Sequence, residues 1–301
     1  MSTPKVPAFV CVYGPSGIGK STDTGYAFPN AIFLAAPGAL KSVSALCGYT
    51  PTQMPVQTID DATAAIRQVR EAGGGGFDGV VVDDFSFLAE QTMSAYDKRY
   101  SGFKLFGAMR ESAIRFRNEA RYASLTVALS CWLKPPRVRD DGTRIRGGPD
   151  LTGKLPEQLP AMCDLVLRGA WDAQRKPWGG IYKVSGGSDY VGKDRDHGTP
   201  SPAPMNLGEI LRHNGYTISR LAILPWQEGA VETIATALLA GDPKDDRKLL
   251  EEGYAALAAQ GHDPRHVRWT IRDAWDRAAL RRASALRHGT FFGPSNNVFG
   301  L

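Results

Sequence analysis

Four residues near the start of the chain have the types and spacing of a phosphate-binding loop. Gly14, Gly19, Lys20 and Ser21 fit the pattern G-x-x-x-x-G-K-[ST] within the segment VCVYGPSGIGKST. Glycines lack a Cβ, so the loop can fold tightly and point successive backbone N–H groups at phosphate oxygens. The lysine reaches the β- and γ-phosphates, and the serine hydroxyl completes the coordination of Mg²⁺. The motif therefore predicts binding of ATP with Mg²⁺. The predicted contacts are Gly14, Pro15, Ser16, Gly17, Ile18, Gly19, Lys20, Ser21 and Thr22.

Two consecutive carboxylates follow a strongly apolar run in the first third of the chain. Residues 79–82, GVVV, predict a buried parallel strand that ends at Asp83 and Asp84. Acids at the carboxyl end of such a strand reach the edge of the sheet where ligands bind. We expect Asp83 to hold Mg²⁺ with Ser21, and we expect Asp84 to act beside Lys20 as the catalytic residue that polarises an attacking water. A solvated Asp-Asp turn is the alternative, and Glu90 is a third candidate for the base.

The elements that must position these residues alternate between strands and helices. The sequence predicts strands at residues 9–13, 30–36, 79–82 and 124–130, and helices at residues 20–27, 62–72 and 103–122. This order predicts an α/β fold with a mostly parallel sheet flanked by helices. After residue 224 the pattern changes to three helices, at residues 230–240, 244–260 and 264–287. We therefore expect a nucleotide-binding domain at residues 1–224 and a small helical domain at residues 225–301.

Composition limits the class of protein without choosing a function. The chain has 301 residues, of which 43% are hydrophobic, enough for one large domain and a smaller unit. Its four cysteines form no C-x-x-C pair, so neither a zinc site nor a disulfide framework is indicated. The sequence shows neither a signal-peptide pattern at its N-terminus nor an apolar run long enough to cross a bilayer. We expect a cytoplasmic protein without a membrane partner.

Two basic segments are candidates for contact with nucleic acid. Residues 134–148, KPPRVRDDGTRIRGG, carry five basic and two acidic residues and no periodicity, which predicts a mobile connection. Its candidate phosphate contacts are Arg137, Arg139, Arg144 and Arg146, with plain solvent exposure as the alternative. The helix at residues 264–287 is also rich in arginine and carries Trp269 and Trp275. It either attracts nucleic acid or is an amphipathic helix whose Val267, Ile271, Trp275 and Ala278 face a core.

Taken together, the motifs resemble those of the phage RecA-like nucleotide-binding ATPases, including the Sak-type recombinases linked to single-strand annealing. The resemblance rests on the phosphate loop, the strand VVVDDFS, the segment PDLTGKLPEQLPAMCDLVLRGAW at residues 149–171 and the segment GKDRDHGTPSPAPMNLGEIL at residues 192–211. It covers about residues 7–211. It implies a RecA-like core with ATP at the strand ends, homo-oligomeric rings or filaments on single-stranded DNA, and a role in phage DNA recombination.

The same resemblance assigns a basic pair that reaches the nucleotide of a neighbouring subunit. In that family the pair lies on a late hairpin, for which residues 182–184 and 189–191 are the candidates here. Lys193 and Arg195 fall at the catalytic positions, with a plain surface turn as the alternative. The C-terminal residues 289–301 carry three phenylalanines among Gly, Pro and Asn. They are a candidate tail for a single-strand-binding protein or a neighbouring subunit, with packing against their own domain as the alternative.

Two positions depart from the family pattern. RecA-like ATPases generally carry a catalytic glutamate at the end of the second core strand, where this chain has Ala35, Ala36 and Pro37. The Gln or His sensor expected after the strand at residues 124–130 is also missing, so Ser130 and Cys131 are the available polar groups and Trp132 is a candidate for stacking on a base or for the core. These departures indicate that Asp84 substitutes for the glutamate or that hydrolysis is slow.

Three functions are therefore compatible with the sequence. The first is a DNA-dependent ATPase in phage-type recombination or annealing. The second is a P-loop kinase, in which residues 134–148 would serve as an arginine-rich lid over the acceptor. The third is a nucleotide-gated structural or DNA-packaging component that binds ATP and hardly hydrolyses it.

Overall fold

A mixed, mostly parallel β-sheet lies at the centre of the computed structural model, which describes residues 7–47, 49–152, 155–172, 180–184, 189–216 and 226–287. The strands are β1 (Phe9–Gly14), β2 (Ala31–Ala35), β3 (Thr52–Pro55), β4 (Gly79–Asp83), β5 (Thr126–Lys134), β6 (Arg137–Val138), β7 (Arg144–Ile145), β8 (Gly148–Pro149), β9 (Leu165–Trp171), β10 (Gly180–Lys183), β11 (Lys193–Asp194) and β12 (Ala203–Pro204). The helices are α1 (Lys20–Ala27), α2 (Lys41–Cys47), α3 (Ile59–Glu71), α4 (Phe85–Asp97), α5 (Phe103–Tyr122), α6 (Leu155–Met162), α7 (Leu207–His213), α8 (Trp226–Ala240), α9 (Asp246–Ala259) and α10 (Pro264–Arg287), with a short 3-10 helix at Pro243–Asp245.

The strand order brings the two sequence motifs to one edge of the sheet. The main path runs β12-β10-β9-β1-β5-β4-β2-β3, so β5 separates the strand before the phosphate loop from the strand that carries the acids. The pairs from β9 across to β3 are parallel, whereas β10, β11 and β12 join antiparallel. Gly14 lies opposite Trp132, and Ala35 lies opposite Asp83. The edge where these strands end is called the carboxyl edge below, and the opposite one the amino edge.

Both faces of the sheet are covered, which explains why its strands read as continuous apolar runs. On β1, Phe9, Cys11 and Tyr13 point into the core beneath α3, α4 and α5, while Val10 and Val12 point into the core beneath α1, α2 and α7. Strands β1, β2 and β4 are buried throughout. The sequence predictions of these strands and of α1, α5 and α10 are confirmed, with differences of a few residues at most.

The C-terminal helices have a core of their own and also pack against the sheet domain. Helices α8, α9 and α10 enclose Val267, Ile271 and Ala278, with Trp275 partly buried against them. The amphipathic interpretation of α10 is therefore confirmed. Leu280 of the same helix belongs to the core beneath α1 and α7. Residues 217–225, which contain the expected domain boundary, and residues 289–301 lie outside the described part of the chain.

Four arginines of α10, which were candidates for contact with nucleic acid, pair with acidic side chains of the same chain. The pairs are Arg272 with Asp23, Arg277 with Glu209, Arg281 with Glu232 and Arg282 with Asp246. Trp269 is also engaged, since its ring stacks on Tyr26 with the centroids 4.2 Å apart. Arg272 and Arg277 thus hold the helical region to the sheet domain, whereas Arg281 and Arg282 pair within the helical region.

Two expectations about local structure are corrected. In the described part of the chain, residues 182–184 and 189–191 do not pair with each other as the expected hairpin would; β10 pairs instead with β9 and β12, because the exposed edge of β9 offers hydrogen bonds that continue the sheet. Residues 185–188 lie outside the described part of the chain. The expected mobile connection contains a hairpin, in which β6 pairs with β7 around a turn at Gly142. Two-residue strands are too short to show a period in the sequence.

Among the described residues, none of the helices has the length and apolar character that crossing a bilayer requires.

Candidate nucleotide-binding site

The phosphate loop joins β1 to α1 at the carboxyl edge, and its glycines meet real steric requirements. Gly17 and Gly19 have φ values of 77° and 101°, in the left-handed region that residues with a Cβ rarely adopt. Gly14 is held by its surroundings, because a Cβ there would lie 3.1 Å from the carbonyl oxygen of Gly169 on β9. The loop therefore keeps its backbone N–H groups in a tight curve directly before α1, whose positive N-terminal end favours an anion.

Lys20 occupies the mouth of this loop. Its Nζ donates to the carbonyl oxygens of Gly14 and Pro15, both at 3.0 Å, and the side chain is buried. Burial lowers the pKa of the ammonium, while Asp84 and Asp83 act in the opposite direction. The two loop carbonyls thus hold a positive charge where phosphate oxygens would accept its hydrogen bonds.

Ser21 and Asp83 come together as the metal prediction requires. The Ser21 hydroxyl donates to Oδ1 of Asp83 at 3.0 Å, although the two residues are 62 positions apart. Ser130, in the middle of β5, donates to the same oxygen. Burial raises the pKa of Asp83, and the two hydroxyls and Lys20 oppose that shift. One hydroxyl and one carboxylate are hard oxygen ligands, so this pair fits Mg²⁺.

Asp84 lies beside this pair and is the N-cap residue of α4. Its carboxylate accepts from the backbone N–H of Ser86 at 2.9 Å, and its peptide bond with Asp83 is cis. Burial, together with the charge of Asp83, raises the pKa of Asp84 to about 7. A carboxyl group with such a pKa can accept a proton from water near neutral pH. Glu90, the third candidate base, is exposed on α4.

Comparison with known proteins agrees with this geometry. A family model described as an AAA domain, AAA_24, matches residues 7–196, which is more than half of the chain. The chain belongs to this AAA domain family. It is therefore a nucleotide-binding domain of the P-loop ATPase type with a helical C-terminal region. Solved structures that match include the KaiC-like protein PH0186 from the hyperthermophilic archaeon Pyrococcus horikoshii OT3, at 12% identity and a TM-score of 0.38, covering 60% of this chain and 79% of that one. No curated protein matches the chain.

In this AAA domain, β2 ends at Ala35, where the resemblance to RecA-like ATPases led us to expect a glutamate. The side-chain amide of Gln53 on β3 donates to the carbonyl oxygens of Ala35 and Ala36, at 3.1 and 2.9 Å. Within β5, the Ser130 hydroxyl donates to Asp83, and the backbone N–H of Trp132 donates to the Ser86 hydroxyl at 2.9 Å. Cys131 is fully buried and Trp132 is partly buried.

Lys193 and Arg195 lie at the amino edge, away from the phosphate loop of their own chain. Lys193 is opposite Val166 near the start of β9, and its Nζ donates to the carbonyl oxygen of Ala161 at 2.9 Å. Arg195 pairs with Asp164 at 3.0 Å. Asp164 also pairs with Arg121 at 2.9 Å and accepts from the backbone N–H of Phe9. Arg195 therefore has a partner in its own chain.

The four candidate nucleic-acid contacts belong to the β6–β7 hairpin and the residue that follows it. Arg137, Arg139, Arg144 and Arg146 are all exposed. Arg144 approaches Asp189 at 4.0 Å, which is a loose surface pair. The hairpin begins three residues after β5 ends, so it continues from the carboxyl edge that carries the phosphate loop.

Asp23 was not predicted as part of the site, although it lies two residues beyond Ser21 on α1. Its buried carboxylate accepts from the Tyr182 hydroxyl at 2.7 Å and from the backbone N–H of Leu207 at 3.1 Å, and it pairs with Arg272 at 3.0 Å. Its partners lie 159 or more positions away in sequence, so no local pattern could reveal them. This cluster fixes the helix that carries Lys20 and Ser21.

Proposed function

We propose that this AAA domain hydrolyses ATP with Mg²⁺, that single-stranded DNA stimulates the hydrolysis, and that the protein acts in a phage-type recombination or annealing reaction in the host cytoplasm. The observation that carries the proposal is the convergence of Lys20, Ser21, Asp83 and Asp84 at the carboxyl edge. The resemblance to phage RecA-like ATPases supplies the reaction and the partner.

The site residues divide the chemistry among them. The loop N–H groups and Lys20 would bind the phosphates, and Ser21 and Asp83 would hold Mg²⁺. Bound Mg²⁺ neutralises charge that develops on the phosphates during transfer. Asp84 would accept the proton of the attacking water, the role that the glutamate has elsewhere in the family. Its raised pKa supports this assignment, because a base works best with a pKa near the working pH.

The β6–β7 hairpin supports DNA as the stimulating partner. It presents exposed arginines at the carboxyl edge, and phosphate contacts are the sequence-independent source of affinity for DNA. The same surface could serve as the lid of a kinase, which makes acceptor phosphorylation the outcome to exclude.

We further propose that subunits assemble into rings or filaments in which Lys193 and Arg195 approach the nucleotide of a neighbour. Their position at the amino edge supports action in trans, since they are remote from the phosphate loop of their own chain.

ATP hydrolysis with and without single-stranded DNA, over a range of salt concentrations, tests the proposal. We expect stimulation that declines steeply as salt rises, because DNA binding displaces counterions. The double variant Arg137→Ala with Arg139→Ala should show weaker stimulation by DNA. Arg247→Ala, which replaces an exposed arginine of α9, should not change the stimulation. A rate of ATP hydrolysis that depends on neither DNA nor salt would overturn the proposal. Phosphate transfer to a small acceptor would identify a kinase, and nucleotide-dependent assembly without turnover would identify a structural or packaging switch.

A further inference from the structure

Three exposed aromatic side chains lie where α4 turns into α5. The exposed fractions of Tyr100, Phe103 and Phe106 are 42%, 97% and 51%. These residues are called the aromatic tip below. Phenylalanine normally contributes to folding by leaving water, so an almost fully exposed Phe103 contributes little to the stability of this chain. Exposed apolar side chains that are grouped together are a feature of binding surfaces.

The aromatic tip projects beyond the carboxyl edge. The hydroxyl of Ser112 on α5 donates to Asp60 at the start of α3, which follows the carboxyl end of β3. From Ser112, α5 runs back to Tyr122 near the beginning of β5. Met109 is the first residue of α5 that is buried in the core, so the six residues of α5 before it extend from the packed part of the helix by about 9 Å, at 1.5 Å per residue. Helix α4, which leads to the tip, begins directly after Asp84.

The surroundings of the aromatic tip are basic and lack internal partners. Residues 96–110 contain four basic side chains and one acid, Asp97. The basic residues are Lys98, Arg99, Lys104 and Arg110, and all four are exposed. None of them forms an ion pair with another described residue, in contrast to the arginines of α10. Their charge is thus available to an external anion.

We propose that the aromatic tip binds single-stranded nucleic acid, with bases stacked on Phe103 and its two aromatic neighbours and phosphates on the surrounding basic side chains. Aromatic rings interleaved with basic residues suit unpaired bases, whose faces are open for stacking. Aromatic residues and arginine are also common in protein interfaces, but lysine is depleted there, so Lys98 and Lys104 favour nucleic acid as the partner. The identity of the partner as single-stranded DNA rests on the proposed function. The aromatic tip is a separate surface from the β6–β7 hairpin.

Direct binding of a fluorescently labelled oligothymidylate, measured by anisotropy, tests this inference. Phe103→Ala should weaken binding about tenfold, the effect of losing one stacked base. Phe103→Trp should retain the affinity, and its indole fluorescence should be quenched by the bound bases. Tyr122→Ala is the matched control, because Tyr122 is 69% exposed at the far end of the same helix and should not alter binding.

The salt dependence supplies a second readout. Lys104→Ala should reduce the slope of log affinity against log salt by about 0.7, the value for one lost phosphate contact on a single strand. Lys248→Ala, on the exposed face of α9, should leave the slope unchanged.

The outcomes separate the two proposals. If the wild-type protein binds the oligonucleotide and Phe103→Ala binds as well as Tyr122→Ala, the aromatic tip is not the contact and the proposed function stands. If the wild-type protein binds no single strand, the proposed function fails and this inference fails with it. The wild-type protein could also self-associate more strongly as salt rises. If Phe103→Ala abolishes that self-association and leaves oligonucleotide binding intact, the aromatic tip joins copies of this chain and the inference is wrong.

Discussion

Arg272 of α10 and Asp23 of α1 form an ion pair 3.0 Å long across 249 positions of sequence, and both side chains are buried. Their contact ties the C-terminal helices to the helix that follows the phosphate loop. Burial raises the pKa of Asp23, and the charge of Arg272 acts against that shift. The carboxylate therefore depends on the arginine for its charged state.

Breaking this pair should destabilise the protein strongly. Arg272→Ala leaves a buried carboxylate without its cation, which costs about 3–5 kcal/mol of unfolding free energy in comparable cases. Denaturant unfolding measures the loss. Removing both charges, with Arg272→Met and Asp23→Asn together, should recover only part of it, because the buried Asp276, which also pairs with Arg272 at 3.4 Å, still loses its cation. Arg247→Ala removes an exposed pair with Glu251 and should leave the unfolding midpoint nearly unchanged. Equal midpoints for Arg272→Ala and Arg247→Ala would refute the dependence on Arg272.

Ser21 and Asp83 should control the requirement for Mg²⁺. Ser21→Ala removes the hydroxyl that meets Asp83, so the Mg²⁺ concentration for half-maximal hydrolysis should rise about tenfold, a typical loss for a perturbed metal site. A Mg²⁺ titration of ATP hydrolysis measures it. Ser44→Ala, on the exposed side of α2, is the control and should behave as the wild type. An unchanged Mg²⁺ requirement in Ser21→Ala would exclude this serine as a ligand.

Asp84 should give ATP hydrolysis a rising limb through about pH 7, because only its deprotonated form accepts a proton. In Asp84→Asn, turnover should fall by about 10²-fold or more and lose this limb. The stability of the fold should fall over the pH range in which turnover rises. The folded state holds the Asp84 proton more tightly than the unfolded state, so the free energy of unfolding declines as pH rises from about 4 to about 7. Asp84→Asn should flatten that decline. A turnover profile that is level between pH 6 and 8 in the wild type would rule out Asp84 as the base.

The sequence revealed the parts of the site that a continuous motif or a buried strand encodes. Lys20 and Ser21 follow from glycine spacing, and Asp83 follows from an apolar run whose two faces are both buried. Ion pairs between residues far apart in the chain could not be predicted from the sequence. The arginines of α10 appeared available to nucleic acid because their acidic partners lie on other elements, as Glu209 does on α7. The prediction of a late hairpin was wrong because β10 pairs with the free edge of β9 and not with residues 189–191.

Arg195 should separate a structural role from action on a neighbouring subunit. In the structure it shares Asp164 with Arg121, so Arg195→Ala and Arg121→Ala each remove one ion pair from the same carboxylate. If Arg195 also reaches a neighbour's nucleotide, only Arg195→Ala should lose stimulated hydrolysis, by on the order of 10³-fold, while ATP binding persists.

Mixing subunits gives the sharper form of this experiment. Arg195→Ala subunits keep an intact phosphate loop, and Lys20→Ala subunits keep an intact Arg195, so each is inactive alone. A mixed assembly would contain sites in which an Arg195→Ala subunit supplies the phosphate loop and a Lys20→Ala subunit supplies Arg195. Hydrolysis should therefore return in part. A mixture that stays inactive, or an Arg195→Ala protein with normal stimulated turnover, would show that Arg195 serves the ion pair with Asp164 and not the neighbouring site.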